Sequence, residues 1–241
     1  MTLVEHLSEL RSRLIKCLIA VAVGMLIVTL FYNQILDFLV NPYCEVSKTD
    51  SCALLQTDPL EGFSIRMKIT GYAGIALAMP VLLWQLWRFI SPGLYANERR
   101  YVIPFVGSAL VLFALGAGIA YWTMPYALQF LGSIGGHNLV QQYRPAPYVQ
   151  LITLMMLIFG ASFEFPILLV FLQMAGIVEP DTLRRYRRHA FVGITVIVAV
   201  VTPSGDPWSM LALSVPMVIF YEVAVRLGSW LVRRRALQEA T

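Results

Sequence analysis

The feature that most restricts this chain is a succession of apolar runs set against the roughly 20 residues that carry a helix across a bilayer. Residues 14–40, 66–88, 102–124, 149–176, 190–201 and 210–226 form such runs, separated by polar or turn-rich segments. With 58% of its 241 residues hydrophobic, 13% charged and a mean hydropathy of +0.70, the chain carries more apolar surface than a soluble domain of this length. It reads as an all-α membrane protein: six transmembrane helices in one membrane domain, an amphipathic charged arm at 1–13 and a tail at 227–241. The first run is too long for the core of a cleavable signal peptide and is expected to stay as a helix.

Length arithmetic makes the bundle uneven. The runs at 190–201 and 210–226 give helices of only about 18 and 24 Å against a hydrocarbon core near 30 Å. Both final helices are therefore expected to be short, seated in thinned bilayer or against other protein, with a re-entrant hairpin as the rival. The run at 149–176 is too long for an upright helix, and Gly160 with Pro166 offers a place to tilt or kink. A concave bundle follows. Gly107, Ala114, Gly116, Gly118 and Ala120 would let neighbouring helices approach the third run closely.

Charge sets the expected orientation. Of eighteen Lys and Arg residues, fourteen fall on one side: Arg11, Arg13 and Lys16 in the arm, Arg88, Arg99 and Arg100, then Arg184, Arg185, Arg187 and Arg188, and Arg226 with Arg233 to Arg235. Lys48, Arg66, Lys68 and Arg144 fall on the other. Positive loops stay inside, so both termini are expected in the cytoplasm, and the net charge of +4 is a topology signal with no nucleic-acid partner behind it. His6, His137 and His189 lie far apart and outside the apolar runs, and no cysteine spacing suggests a metal, so no metal or cofactor is expected. Cys17 lies in the first helix. Cys44 and Cys52 fall in an outward loop where oxidation is permitted, so a disulfide is expected there, two free thiols being the alternative.

Two carboxylates stand out on the cationic face. In the arm, Leu3, Leu7, Leu10 and Leu14 recur at helical spacing, Thr2 with Glu5 reads as a capping box, and the arm should lie along the interface before turning inward. Glu9 has Arg13 four residues on as an ordinary partner. In FISPGLYANERRY, residues 89–101, Pro92 and Gly93 stop one helix and Asn97 reads as the cap of the next, which places Glu98 in a first turn where the helix dipole favours negative charge. The functional alternative leaves Glu9 and Glu98 without partners of their own, ready to accept one guanidinium each from an extended peptide.

Further acidic positions lie in the membrane runs. Glu164, in GASFEFPIL near the middle of the fourth run, is a functional candidate because an intramembrane carboxyl is costly. Its bland reading is a protonated acid bonded to a neighbouring helix, with Gln173 extending a polar stripe. Glu222 has Arg226 as a simple i+4 partner, and Asp206 in VTPSGDPW most simply caps the helix that follows.

Five of these stretches in order and spacing, HLSELRSRL (6–14), FISPGLYANERR (89–100), FEFP (163–166), TPSGDPW (202–208) and the apolar stretch leading to Glu222, resemble the TatC family, the multispanning receptor subunits of the twin-arginine protein translocase. The resemblance covers nearly the whole chain. It implies a six-helix, glove-like receptor in the cell membrane that is not an enzyme. Such a receptor binds twin-arginine signal peptides of folded cargo and assembles with single-span TatA- and TatB-type partners in an oligomeric, proton-motive-force-driven complex. By that likeness Glu9, Glu98 and Phe89 would bind the signal, Glu164 would serve an intramembrane site, Asp206 and Glu222 would be further functional positions, and a partner helix would lie near Thr202. Met210 departs from some relatives, which carry glutamine there, and the Cys44 and Cys52 pair is not part of the general pattern. Two other classes compete. A proton-coupled transporter could use Glu164, although paired halves and matching broken helices are missing from the sequence. An intramembrane protease could use Ser162, but no histidine lies in a run to act as its base.

Overall fold

The computed structural model describes residues 3–47, 54–90, 102–134, 143–174 and 176–239, and the regular structure among them is helical. The first helix, α1 (Leu3–Leu30), meets no proline and only one glycine, Gly24. It therefore carries the arm straight into the first apolar run. The expected turn between arm and span does not occur, and the apolar stretch already begins at Leu7. The first run then ends early: at Phe31 (φ −105°, ψ 18°) the amide donates to the Val28 carbonyl at 3.1 Å, and a separate helix α2 (Tyr32–Val46) starts. One predicted span is thus two helices. Leu39, Pro42 and Tyr43 of α2 are buried, and its backbone accepts from Tyr121 Oη at Phe38 (3.0 Å) and Tyr148 Oη at Leu39 (2.7 Å).

The next two helices are longer than their apolar runs suggest. α3 (Glu61–Ile90) pairs with α1, and α4 (Val102–Ile134) continues through Pro125 before α5 (Pro145–Ser162) packs on it. Two glycine crossings set these pairs. A Cβ on Gly24 would sit 2.6 Å from the Gly74 carbonyl oxygen, and one on Gly116 would sit 2.6 Å from that of Phe159. Of the small residues expected to pack, Gly116 and Ala120 are buried against neighbours, whereas Gly107, Ala114 and Gly118 are exposed. Close backbone approach matters here because lipid is as apolar as leucine, so packing and hydrogen bonds, rather than escape from water, hold membrane helices together.

The expected kink in the fourth run is a full break. Pro166 has no amide for the Ser162 carbonyl. The Glu164 amide bonds Ala161 at 3.1 Å, so α5 ends at Ser162 and α6 (Phe165–Met174) follows. After α7 (Pro180–Arg185) come α8 (Arg187–Val201) and α9 (Pro207–Glu239). The shortness expected of both final helices holds for α8, with 15 residues, and not for α9, whose apolar stretch covers 25 residues from Pro207 to Leu231. Arg226 interrupts the hydropathy, but Leu227, Trp230 and Leu231 continue it, and a long arginine stem can carry its charge to the interface from there.

Among the described residues, five helical stretches are long and apolar enough to cross a membrane: Leu7–Leu30, Glu61–Phe89, Pro104–Ile134, Pro145–Met174 and Pro207–Leu231. Large apolar side chains face outward along them, Leu18, Leu26, Val111, Leu211 and Ile219 among these, as lipid contact requires. Inside, Met155, Phe159, Phe163, Val198, Leu213 and Tyr221 join α5 to α9, while Val28, Tyr43, Ile69, Met124 and Ile152 join α1 to α5. The protein is an all-helical, multi-pass membrane protein.

Candidate functional site

Glu9 sits on α1 one turn before Arg13, and the arginine is engaged four ways. Its Nη2 pairs with Glu9 Oε1, its Nε donates to the same oxygen at 3.1 Å, Nη1 donates to the Gln85 carbonyl on α3 at 3.3 Å, and the guanidinium lies 5.9 Å from the Phe89 ring centre. Helical spacing produces the first two contacts and the α1–α3 pairing produces the other two. The Arg13 side chain is 13% exposed and that of Glu9 27%. Of the two readings of Glu9, the ordinary partner at i+4 is the one present, and the alternative of a carboxylate without a partner of its own does not hold. Phe89, by contrast, is brought to the same cluster. Glu98, together with Pro92, Gly93 and Asn97, lies outside the described residues, as do Thr2 and Cys52.

Glu164 occupies the break between α5 and α6. Its side chain makes no hydrogen bond among the described residues, and Oε1 is buried. The polar stripe expected with Gln173 does not form. Gln173 is buried and donates from Nε2 to the Leu169 carbonyl at 3.2 Å and to the Ala224 carbonyl of α9 at 3.1 Å. A Cβ on Gly228 would overlap that amide, so glycine is what lets α9 approach α6 there.

At the far end of α8, Thr202 is buried, and its hydroxyl donates to the Val198 carbonyl of its own helix at 2.7 Å. Gly205 takes φ +58° to make the turn. Asp206, with 0% exposure, accepts from the Ser209 amide at 2.8 Å and from the Ser204 hydroxyl, the cap its position suggested. Met210 packs against the apolar core.

Glu222 is paired chiefly across helices. Arg187 of α8 donates from Nε to Oε1 at 2.6 Å and from Nη2 to Oε2, while Arg226, the expected i+4 partner, lies 3.9 Å away. The hydrogen bonds that Arg187 donates to Glu222 hold its guanidinium above its ordinary pKa, so it stays charged. Sequence spacing could not show this partner because it comes from another helix.

One carboxylate escaped the sequence reading. Glu61, with a side chain 2% exposed, accepts from the Thr57 amide at 3.0 Å and from the Ala146 amide at the start of α5 at 3.3 Å, with Arg144 Nε at 3.6 Å. Asp58 Oδ1 accepts from the Leu60 amide at 2.8 Å. The signal was legible as Asp58-Pro59-Leu60-Glu61, an acidic cap followed three residues later by glutamate.

Comparison with known proteins places this arrangement. The family described as Sec-independent protein translocase protein (TatC) matches residues 5–216. A protein of that name from Frankia casuarinae is 43% identical over 98% of this chain and 67% of its own length. One from Corynebacterium kroppenstedtii is 35% identical over 94% of this chain, which spans 61% of that relative's length. A crystal structure described as the twin arginine translocase receptor TatC superposes with a TM-score of 0.75 at 35% identity, covering 93% of this chain and 98% of that one.

Proposed function

The chain belongs to the TatC family of Sec-independent protein translocase proteins, and from that premise we propose that it is the signal receptor of a twin-arginine export pathway. It lies in the cell membrane with both termini in the cytoplasm, the side to which the positive-inside rule assigns the segments carrying fourteen of its eighteen Lys and Arg residues. It makes and breaks no covalent bond. Its work is recognition and assembly.

The observation that carries the reading is the Glu9–Arg13–Phe89 cluster, where a carboxylate, a guanidinium and an aromatic ring meet between α1 and α3 at the cytoplasmic end. The protein's own arginine already displays the contacts a visiting one would make: a carboxylate, a backbone carbonyl and a ring face. A signal arginine binds by exchanging with Arg13 at Glu9, while the second signal arginine takes Glu98. Guanidinium-for-guanidinium exchange is nearly neutral in Coulomb energy, so discrimination comes from shape. Lysine's point charge cannot reproduce the planar fork.

Deeper in the membrane, the buried Oε1 of Glu164 wants a donor that the described residues do not supply. A single-span TatA- or TatB-type helix offering a hydroxyl or amide would supply it. The transporter reading needs successive partners to pass a proton along, and no hydrogen bond among the described residues reaches that side chain. A photo-crosslinker at position 85 tests the receptor reading. It should capture a twin-arginine peptide and not its twin-lysine counterpart, and equal capture of both sinks the proposal.

A further inference from the structure

We propose that the face of α3 between Phe63 and Ile75 binds one anionic phospholipid, its phosphate on Lys68 and an acyl chain laid over Gly71. Which leaflet this is rests on the orientation proposed above, where it is the outer one; the site itself does not depend on that reading.

Helical spacing builds the groove. Phe63, Met67, Gly71 and Ile75 follow one another at four-residue steps, and Ser64, Lys68 and Tyr72 form a parallel row beside them, so an apolar row runs next to a polar one. The groove is shallow and open to the outside, about 490 Å³ along one face of α3. Gly71 is its floor, since a Cβ there would meet nothing within 4 Å.

Charge says what covers it. The Lys68 ammonium donates to the neutral Gln150 Oε1 at 2.8 Å, and no carboxylate among the described residues lies within ion-pair distance. The other described cations at this end are already engaged: Arg66 lies 5.1 Å from the Tyr32 ring centre, and Arg144 lies 3.6 Å from Glu61. Lys68 therefore has no described carboxylate to neutralise it and has spare donors on the lipid-facing side of the bundle. Depth agrees. The 29-residue stretch Glu61–Phe89 is about 43 Å long against a core near 30 Å, so a residue about 10 Å in from its start sits near the headgroup boundary. A comparable groove of about 440 Å³ on α4, lined by Val111, Ala114, Leu115, Gly118, Ile119 and Trp122, carries no charge, so it offers an acyl chain room and no preference for a headgroup.

Native mass spectrometry of the full chain, titrated with phosphatidylglycerol or with phosphatidylcholine of the same chains, tests this. The first phosphatidylglycerol should bind about fivefold more tightly, as one basic side chain at a membrane surface provides. Lys68→Gln should abolish the preference, Gly71→Leu should weaken both lipids, and Gly118→Leu in the uncharged groove should leave the preference intact. Should Lys68→Gln not fold, Gln150→Glu neutralises Lys68 in place and must likewise abolish the preference. An unchanged preference in whichever variant folds overturns the proposal. So does efficient disulfide crosslinking of Met67→Cys to a second copy, which would give the face to a protein. Twin-arginine peptide binding should be unaffected in all these variants, so failure here is distinct from failure of the receptor reading.

Discussion

The carboxylates at the two ends of the bundle are satisfied in different ways. At the end away from the termini, Glu61 and Asp206 are buried and accept from backbone amides of Thr57, Ala146 and Ser209. At the end that carries the termini, Glu9 and Glu222 are held by arginine side chains, Arg13 and Arg187. An amide donor is fixed by the fold and cannot leave without unfolding a helix start. An arginine side chain can swing away, because no helix start has to open for it to leave. The first kind of contact builds the frame. The second is exchangeable, which is what a receptor for arginines needs.

The largest effect expected on the frame concerns the end of α2, where Cys44 lies inside the helix and not in the loop expected of it. If Cys44 and Cys52 form the bridge their placement suggests, reduction should lower stability by about 2–3 kcal/mol on loop entropy. Thermal unfolding in detergent with and without reductant measures it, and signal binding should be unmoved. Next, Asp206→Ala should cost about 1–2 kcal/mol, because the Ser209 amide at the start of α9 loses its cap, and Asp206→Asn should restore most of it. Glu9→Ala should do the reverse: stability within about 0.5 kcal/mol of the parent, and about tenfold weaker binding of a twin-arginine peptide by fluorescence anisotropy. If Asp206→Ala spoils peptide binding and Glu9→Ala spoils folding, the contrast between the ends is wrong.

How far the sequence could be read follows from the same contrast. Local rules found what depends on near neighbours: the apolar runs, the Asp206 cap, the Glu9–Arg13 spacing and the weak point at Pro166. They missed what depends on a partner helix. Arg187 meets Glu222 only because α8 packs on α9, and Glu61 reaches Ala146 only because α5 starts beside it. Helix ends were misjudged where hydropathy alone was followed. The first run conceals the break at Phe31, since both sides of it are apolar, and α9 outlasts its run because hydropathy penalises Arg226 while a helix does not. The functional alternative for Glu9, a carboxylate without a partner of its own, gave way to the i+4 pairing for a physical reason too: a carboxylate one turn from an arginine pairs with it unless something better is near.

That failure sharpens the comparison, because it turns Arg13 into a competitor. If the signal must displace Arg13 from Glu9, then Arg13→Gln removes the competing charge, and its amide, two bonds shorter than the guanidinium, also gives up the bond to the Gln85 carbonyl. Peptide affinity should then rise about threefold, the free energy of a modest ion pair returned to the visitor. The gain should shrink at high salt, where both pairings are screened. A structural role for Arg13 predicts the opposite sign, since loosening α1 from α3 would weaken the site. The two readings therefore separate on direction alone, and lowered affinity with intact folding would show that Arg13 builds the site rather than occupying it.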